Sequence, residues 1–295
     1  MSPTINKICI IGAGTMGSGI AQVAAQSGFP TLLFDINNEV LDKAKINIQK
    51  SLQSLVDKQK ISPEESSDIF QRIQFVNTII NCIADVFIEA IVEKVEAKVS
   101  IFNQLTAFNN KDTIFASNTS SLFISTIQKE IIHPERIVGM HFFNPAQIMK
   151  LVEVVKGEQT SEAVAQTIYQ LCKQMNKTPV MCKDAPGFIV NRVARHYYLE
   201  SMKLVELGIA SFENVDRIME ATGFKMGPFK LMDLIGMDIN LAVSQSLYDA
   251  FDGEERFKPS AIQIDKVAKG ELGRKTGKGF YQYPPSPKGE LFKQS

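Results

Sequence analysis

The stretch KICIIGAGTMGSGIAQ, residues 7–22, sets an apolar β-rich run directly ahead of spaced glycines that open a helix-forming segment. In that context Gly12 permits a tight turn, Gly14 lets the backbone approach a pyrophosphate, and Gly17 lets the helix pack close to the strand. Ala13, Thr15 and Met16 complete the same turn, so residues 12–17 form a candidate phosphate cradle. The helix N-terminus behind it offers unpaired N–H groups to the phosphates. A second β-rich run, TLLFD, ends on Asp35 at about the spacing expected for a carboxylate that hydrogen-bonds the adenosine ribose hydroxyls. A carboxylate there repels a 2′-phosphate, which favours NAD over NADP. Taken singly, the glycines also fit a structural strand-to-helix turn, and Asp35 a cap on the next helix. Strand, glycines, helix, second strand and terminal Asp in this order point to dinucleotide binding.

The alternation continues outward from this unit. The first helix is expected from about Gly17 to Gln26, and a long charged helix follows TLLFD through about residue 60. IQFV, DVFIEAIV, TIFAS, RIVGMHFF, LVEVV and TPVMC read as further strands, with EAKVSIFNQL and EAVAQTIYQLCKQM as helices between them. Strands and helices in alternation imply an α/β fold, a Rossmann-type doubly wound parallel sheet covered on both faces. After CKDAPGF the pattern becomes purely helical, with runs such as FIVNRVARHYYLESMKLVELG, FENVDRIMEATG and LMDLIGMDINLAVSQSLYDAF. A boundary near Pro186 and Gly187 divides a dinucleotide-binding domain, residues 1–186, from an all-helical domain, residues 187–295. The last fifteen or so residues, with PPSPKGE, read as a tail.

Composition narrows the class. The 295 residues are 44% hydrophobic and 22% charged, and Lys+Arg and Asp+Glu stand at 32 each. With no excess charge there is no global field to recruit nucleic acid or an anionic membrane, so an anionic ligand must be met locally. Cys9, Cys82, Cys172 and Cys182 are widely separated and sit mostly beside apolar residues. They read as small buried thiols in a reducing compartment, not as disulfides or a metal site. No apolar run approaches the length of a membrane span, and MSPTINKICII enters a strand without a leader-like pattern. A cytoplasmic protein is expected, although a mature organellar chain looks the same.

GMHFFNPAQIMKLVEVV, residues 139–155, interrupts two apolar runs with His141 and Glu153 in a chain of only three histidines. A buried carboxylate is costly unless paired, so the two runs are expected to meet, with NPAQIMK connecting them. A carboxylate on one imidazole nitrogen fixes the tautomer and leaves the other nitrogen as a base. Spacing alone leaves a satisfied core histidine beside a structural glutamate as the favoured alternative.

GAGTMGSGIAQ, EAIVE, FASNTSSL, GMHFFNPAQIMKLVEVV, DAPGFIVNR, MGPFKLMD and GRKTGKGFYQY together resemble the short-chain L-3-hydroxyacyl-CoA dehydrogenases, from about residue 5 to about 283 and in the family's order. The resemblance implies an NAD-dependent enzyme acting on C3 of an acyl-CoA substrate, 3-hydroxybutyryl-CoA among them. It implies His141 as catalytic base, Glu153 as its partner, Ser120 near the 3-oxygen, and Asn191 reaching in from the second domain. It makes Glu93, Lys98 and Asn144 contacts to the nicotinamide half of the cofactor, with Lys275 a weaker match. Ser51 and Lys58 align with positions that hold coenzyme A. Without the family, Ser120 reads as a helix cap, Asn191 as a capping or solvent-facing side chain, and Lys98 and Lys58 as solvated faces. The segment around ISPEESSD is expected to be shorter or differently turned than in relatives, which leaves the coenzyme A contacts open. The apolar faces of the helical region, with the resemblance, imply a homodimer through that domain.

Two other readings share the early motifs. A related sugar-acid dehydrogenase acting on gulonate keeps the fold and changes the substrate, and the coenzyme A positions argue weakly against it. A catalytically idle NAD-binding protein is disfavoured because His141 and Glu153 are both present.

Overall fold

The computed structural model describes residues 5–284. Most of the expected tail, residues 285–295, lies outside the described residues, as do residues 1–4. The chain divides into two compact units, Met1–Phe188 and Ile189–Ser295.

The first unit begins with β1 (Ile8–Ile11), α1 (Thr15–Gln26), β2 (Thr31–Phe34) and α2 (Asn38–Asp57). There follow α3 (Pro63–Gln71), β3 (Ile73–Val76), β4 (Val86–Glu89), α4 (Val95–Thr106), β5 (Ile114–Ser117) and α5 (Ile124–Gln128). It ends with β6 (Ile137–Phe142), β7 (Leu151–Lys156), α6 (Glu162–Gln174) and β8 (Thr178–Lys183). The eight strands form one sheet in the order β3-β2-β1-β4-β5-β6-β7-β8. Every residue of β1, β2, β4 and β5 is buried, as expected for strands covered on both faces. Side-chain alternation splits β1 between two cores: Ile8 and Ile10 join the cluster with α1, while Cys9 and Ile11 join the one with Phe87 and Phe102.

Two features add to the expected alternation of a parallel sheet. Strands β1 to β6 run parallel, but β7 pairs antiparallel with β6, and β8 runs parallel to β7. Residues 143–150 are too short for a crossover, which needs about a dozen residues or more, so β7 must return beside β6. The ISPEESSD segment builds α3, a helix the periodicity did not indicate. Ser62 caps it by accepting from Glu65 N, and Pro63 occupies its first turn.

The second unit holds α7 (Val190–Glu206), α8 (Phe212–Ala221), α9 (Pro228–Ile235), α10 (Met237–Ala250) and α11 (Ala261–Ala268). The expected continuous run LMDLIGMDINLAVSQSLYDAF breaks at Gly236, whose φ of 106° ends α9 and starts α10. Two motifs without evident chemistry acquire a structural meaning here. Asp233, from MGPFKLMD, accepts from Phe280 N, Tyr281 N and the Tyr283 hydroxyl, which latches GKGFYQY onto α9. Asp216 accepts from Phe229 N, Lys230 N and the Tyr281 hydroxyl, which fixes the start of the same helix. Among the described residues, no helix is long and apolar enough to cross a membrane.

Candidate active site

The strand order reverses between β1 and β4, and in such sheets the crevice at the carboxyl ends of the strands is where ligands bind. Residues 12–17 follow β1 and Asp35 follows β2, so both stand at that edge. The three glycines have different reasons to be there. Gly12 has φ 96°, and a Cβ on it would lie 2.7 Å from the Ala90 carbonyl oxygen. A Cβ on Gly17 would lie 1.7 Å from the Gly12 carbonyl oxygen, so only glycine lets α1 seat against the turn. Gly14 has an ordinary φ of −65°, and a Cβ on it would meet nothing within 4 Å. The protein itself does not require glycine at 14; the bare backbone leaves room for a ligand. Gly14 caps α1 without a side-chain hydrogen bond, and the first turn, with Thr15 and Met16, holds no acidic residue. Its N–H groups therefore suit a pyrophosphate.

Asp35 does not cap the following helix. Asn37 does, accepting from Glu39 N, whereas the Asp35 carboxylate accepts from Ala13 N and Asn37 N, both at 2.9 Å. It braces the glycine turn and presents a negative charge beside the cradle. These residues fit the adenosine half of a dinucleotide.

The ends of β4 and β5 carry a buried ionic network. Lys98, expected on a solvated face in the absence of the family, is 1% exposed. Its Nζ lies 2.7 and 2.8 Å from the two Glu89 carboxylate oxygens and 3.0 Å from Glu93 Oε2. Glu89 is fully buried and also accepts from Ser117 Oγ and Ile91 N. Glu93 Oε1 in turn accepts from Thr119 Oγ1, Ser120 N and Ser121 Oγ. Burial pushes the Glu93 carboxyl up, but the Lys98 charge and these donors outweigh it and hold Glu93 below its ordinary range. The network ties the turn bearing Ser120 to the sheet edge. Thr119 Oγ1 accepts from Leu122 N, and Asp184 accepts from Ile124 N and Ser125 N at the start of α5.

His141 and Glu153 are directly paired across β6 and β7. The antiparallel return brings together the two runs expected to meet: His141 Nδ1 lies 2.8 Å from Glu153 Oε2. His141 is 6% and Glu153 1% exposed, and the imidazole ring packs against Phe143 and Phe188, with centroids 4.6 and 5.7 Å away. Beyond Gly139 the ladder to β5 is carried on by Asn118, whose Oδ1 accepts from Phe142 N next to His141. Burial and the charges of Glu153 and Asp184 push the neighbouring Cys182 thiol up to about 12, so it stays protonated. Cys9, Cys82 and Cys172 are buried and Cys182 half-buried, all of them free thiols. Among the described residues no cluster suited to a metal ion is present.

The other expected residues are more dispersed. Asn144 lies on the exposed connection just after β6. Ser51 is half-buried on α2, and Lys58 is its exposed C-cap residue, seven positions on and hence on the same helix face. Asn191 stands in the first turn of α7, in the second unit. Lys275, also in the second unit, is bonded to both carboxylate oxygens of Asp238 at 2.5 and 2.6 Å. Sequence pattern does not single out Glu89, Ser117, Asn118, Thr119 or Asp184. The one available signal was a glutamate closing the apolar strand VFIE.

Comparison with known proteins gives two family matches. Residues 7–185 match the 3-hydroxyacyl-CoA dehydrogenase NAD binding domain, and residues 187–283 match the 3-hydroxyacyl-CoA dehydrogenase C-terminal domain. The chain is 43% identical over 285 residues to the 3-hydroxyadipyl-CoA dehydrogenase of Escherichia coli (strain K12), covering 96% of this chain but 60% of that relative's length. It is 39% identical over 292 residues to the mitochondrial hydroxyacyl-coenzyme A dehydrogenase of Mus musculus, covering 95% of this chain and 91% of that one. The crystal structure of (S)-3-hydroxybutyryl-CoA dehydrogenase from Ralstonia eutropha superposes with a TM-score of 0.90 at 36% identity, covering 95% of this chain and 100% of that one.

Proposed function

The chain belongs to the 3-hydroxyacyl-CoA dehydrogenase family, whose cofactor is NAD, and from that premise we propose that it interconverts a 3-hydroxyacyl-CoA and a 3-ketoacyl-CoA by reversible hydride transfer at C3. The observation that carries the reading is the 2.8 Å contact between His141 Nδ1 and a Glu153 carboxylate that is itself buried. With Nδ1–H donating to Glu153, Nε2 keeps its lone pair and takes the hydroxyl proton as the C3 hydride leaves. NAD supplies the hydride acceptor when bound. In the reverse direction His141, protonated on Nε2, returns the proton to the ketone oxygen, and Glu153 stabilises the imidazolium throughout.

Ser120 contributes its hydroxyl to the 3-oxygen, and Glu93 holds the turn that bears it. Lys98 has its ammonium committed to two carboxylates and acts on the nicotinamide side through Glu93. Asn144 and Asn191 keep the contact roles that the family motifs imply, and Ser51 and Lys58 hold coenzyme A. Asp35 selects NAD. The helical domain forms a homodimer, as the family resemblance implies, and the second unit leaves Leu234, Ile239 and Ile264 on α9, α10 and α11 about half exposed. Light scattering that finds only monomer at micromolar concentration would contradict the dimer.

Acetoacetyl-CoA is the substrate to try first, with loss of NADH absorbance as the readout, NADPH in parallel and free acetoacetate as the control. Oxidation of NADH that requires the thioester is expected. No turnover with either cofactor overturns the proposed reaction, and equal rates with free acetoacetate overturn the coenzyme A role of Ser51 and Lys58.

A further inference from the structure

Residues 143–150 join the strand of His141 to the strand of Glu153 and carry Asn144. They form no ladder of their own. Ile148 N and Met149 N both donate to the Pro145 carbonyl and Thr178 N donates to that of Lys150, while other carbonyls of the connection have no backbone partner among the described residues. Two of these, Ala146 O and Met149 O, point at a single side chain: Lys177 Nζ lies 2.5 Å from the first and 2.9 Å from the second. Lys177 sits between α6 and β8 and is 8% exposed, so an ammonium has been taken out of water to hold an irregular loop.

The burial is not compensated in the usual way. The partners of Nζ are carbonyl dipoles, and no carboxylate is among the charges that act on it. Burial, with the nearby positive charge of Lys150, brings the ammonium down to about 8. A methionine of similar volume would fill the same space without that penalty, so packing does not account for a lysine here.

The other side of the connection is seated on α1. A Cβ on Gly19 would stand 3.3 Å from Ala146 Cβ and 2.9 Å from the end of the flexible Gln147 side chain, so the loop lies close against the helix that opens at the phosphate cradle. The loop is thus clamped between the dinucleotide-binding helix and the Lys177 ammonium, immediately after the catalytic strand. We propose that Lys177 is a positioning residue, which fixes residues 144–149 and through them holds Asn144 and the His141 strand in register with the bound cofactor. This rests on the dehydrogenase reading above. Lys177 touches neither reactant in this role and acts only through the loop.

The test compares wild type with Lys177→Met by thermal melting, by NADH fluorescence titration, and by kcat and KM with acetoacetyl-CoA. Displacement of reacting groups by about an ångström costs up to about a hundredfold in rate. The expected result for Lys177→Met is a weaker NADH complex and a kcat lowered by about ten- to a hundredfold, with the KM for acetoacetyl-CoA unchanged. A purely structural lysine would lower the melting temperature and leave NADH affinity and kcat at wild-type values, and that result overturns the proposal. If Lys177→Met does not fold, Lys177→Gln decides: it keeps a polar but shorter and uncharged side chain facing the Ala146 and Met149 carbonyls, and wild-type NADH affinity and kcat in that variant overturn the proposal equally. Absence of turnover in the wild type would overturn the reaction instead, and the NADH titration, which needs no turnover, would still judge Lys177.

Discussion

Glu153 Oε2 meets His141 Nδ1 at 2.8 Å because the two residues are register partners in antiparallel strands, so backbone pairing itself sets the distance between the two side chains. Glu153→Gln keeps the shape and loses the charge that stabilises an imidazolium. The expected outcome is a fall in kcat of about a hundred- to ten-thousandfold with NADH affinity unchanged. Steady-state kinetics with a parallel NADH titration checks both halves.

Gly14 and Gly17 should separate folding from binding. Gly14→Ala meets open space in the protein, so its melting temperature should match wild type while NADH binds more weakly. Gly17→Ala drives a methyl into the Gly12 carbonyl and should lower the melting temperature as well. Equal NADH affinity for wild type and Gly14→Ala would remove the phosphate-cradle role.

Lys98→Met leaves Glu89 fully buried without its cation. Loss of one partner of a buried pair costs about 3–5 kcal/mol, to be read from urea denaturation. Adding Glu89→Gln to that variant should recover part of the loss, since the two sites are in contact and do not act additively.

The buried Lys177 makes stability depend on alkaline pH with a definite sign. Its ammonium titrates near 8 in the folded chain and near 10.5 when unfolded, so between those values the unfolded chain binds more protons. Raising the pH through this window therefore favours the folded state. Lys150 and Cys172 are the other groups acting on it, and both remain in Lys177→Met. The melting temperature of wild type relative to Lys177→Met should rise from about pH 8 to about pH 10.5. A flat or falling difference contradicts the buried-ammonium picture.

Much of this site could be read from local patterns, because its parts are local. The glycine turn follows its own strand, and the His141 and Glu153 pair is joined by a single short connection, so periodicity and spacing suffice to suspect them. What local pattern alone does not show depends on contacts between distant segments. Lys98 looks like one more charge on an amphipathic helix until Glu89, at the end of another element, is seen to neutralise it. Lys177 reads as a surface lysine after a helix, and nothing in its neighbours announces the carbonyls of residues 146 and 149. The reversal of β7 follows from loop length, a constraint that strand propensity does not express.

The most direct measurement is the kcat of His141→Gln for NADH oxidation by acetoacetyl-CoA, set beside wild type at equal cofactor occupancy. Glutamine preserves size and polarity but moves no proton, so a loss of about a hundred- to ten-thousandfold is the expected result. Undiminished turnover in that variant would contradict His141 as the acid and base of the reaction.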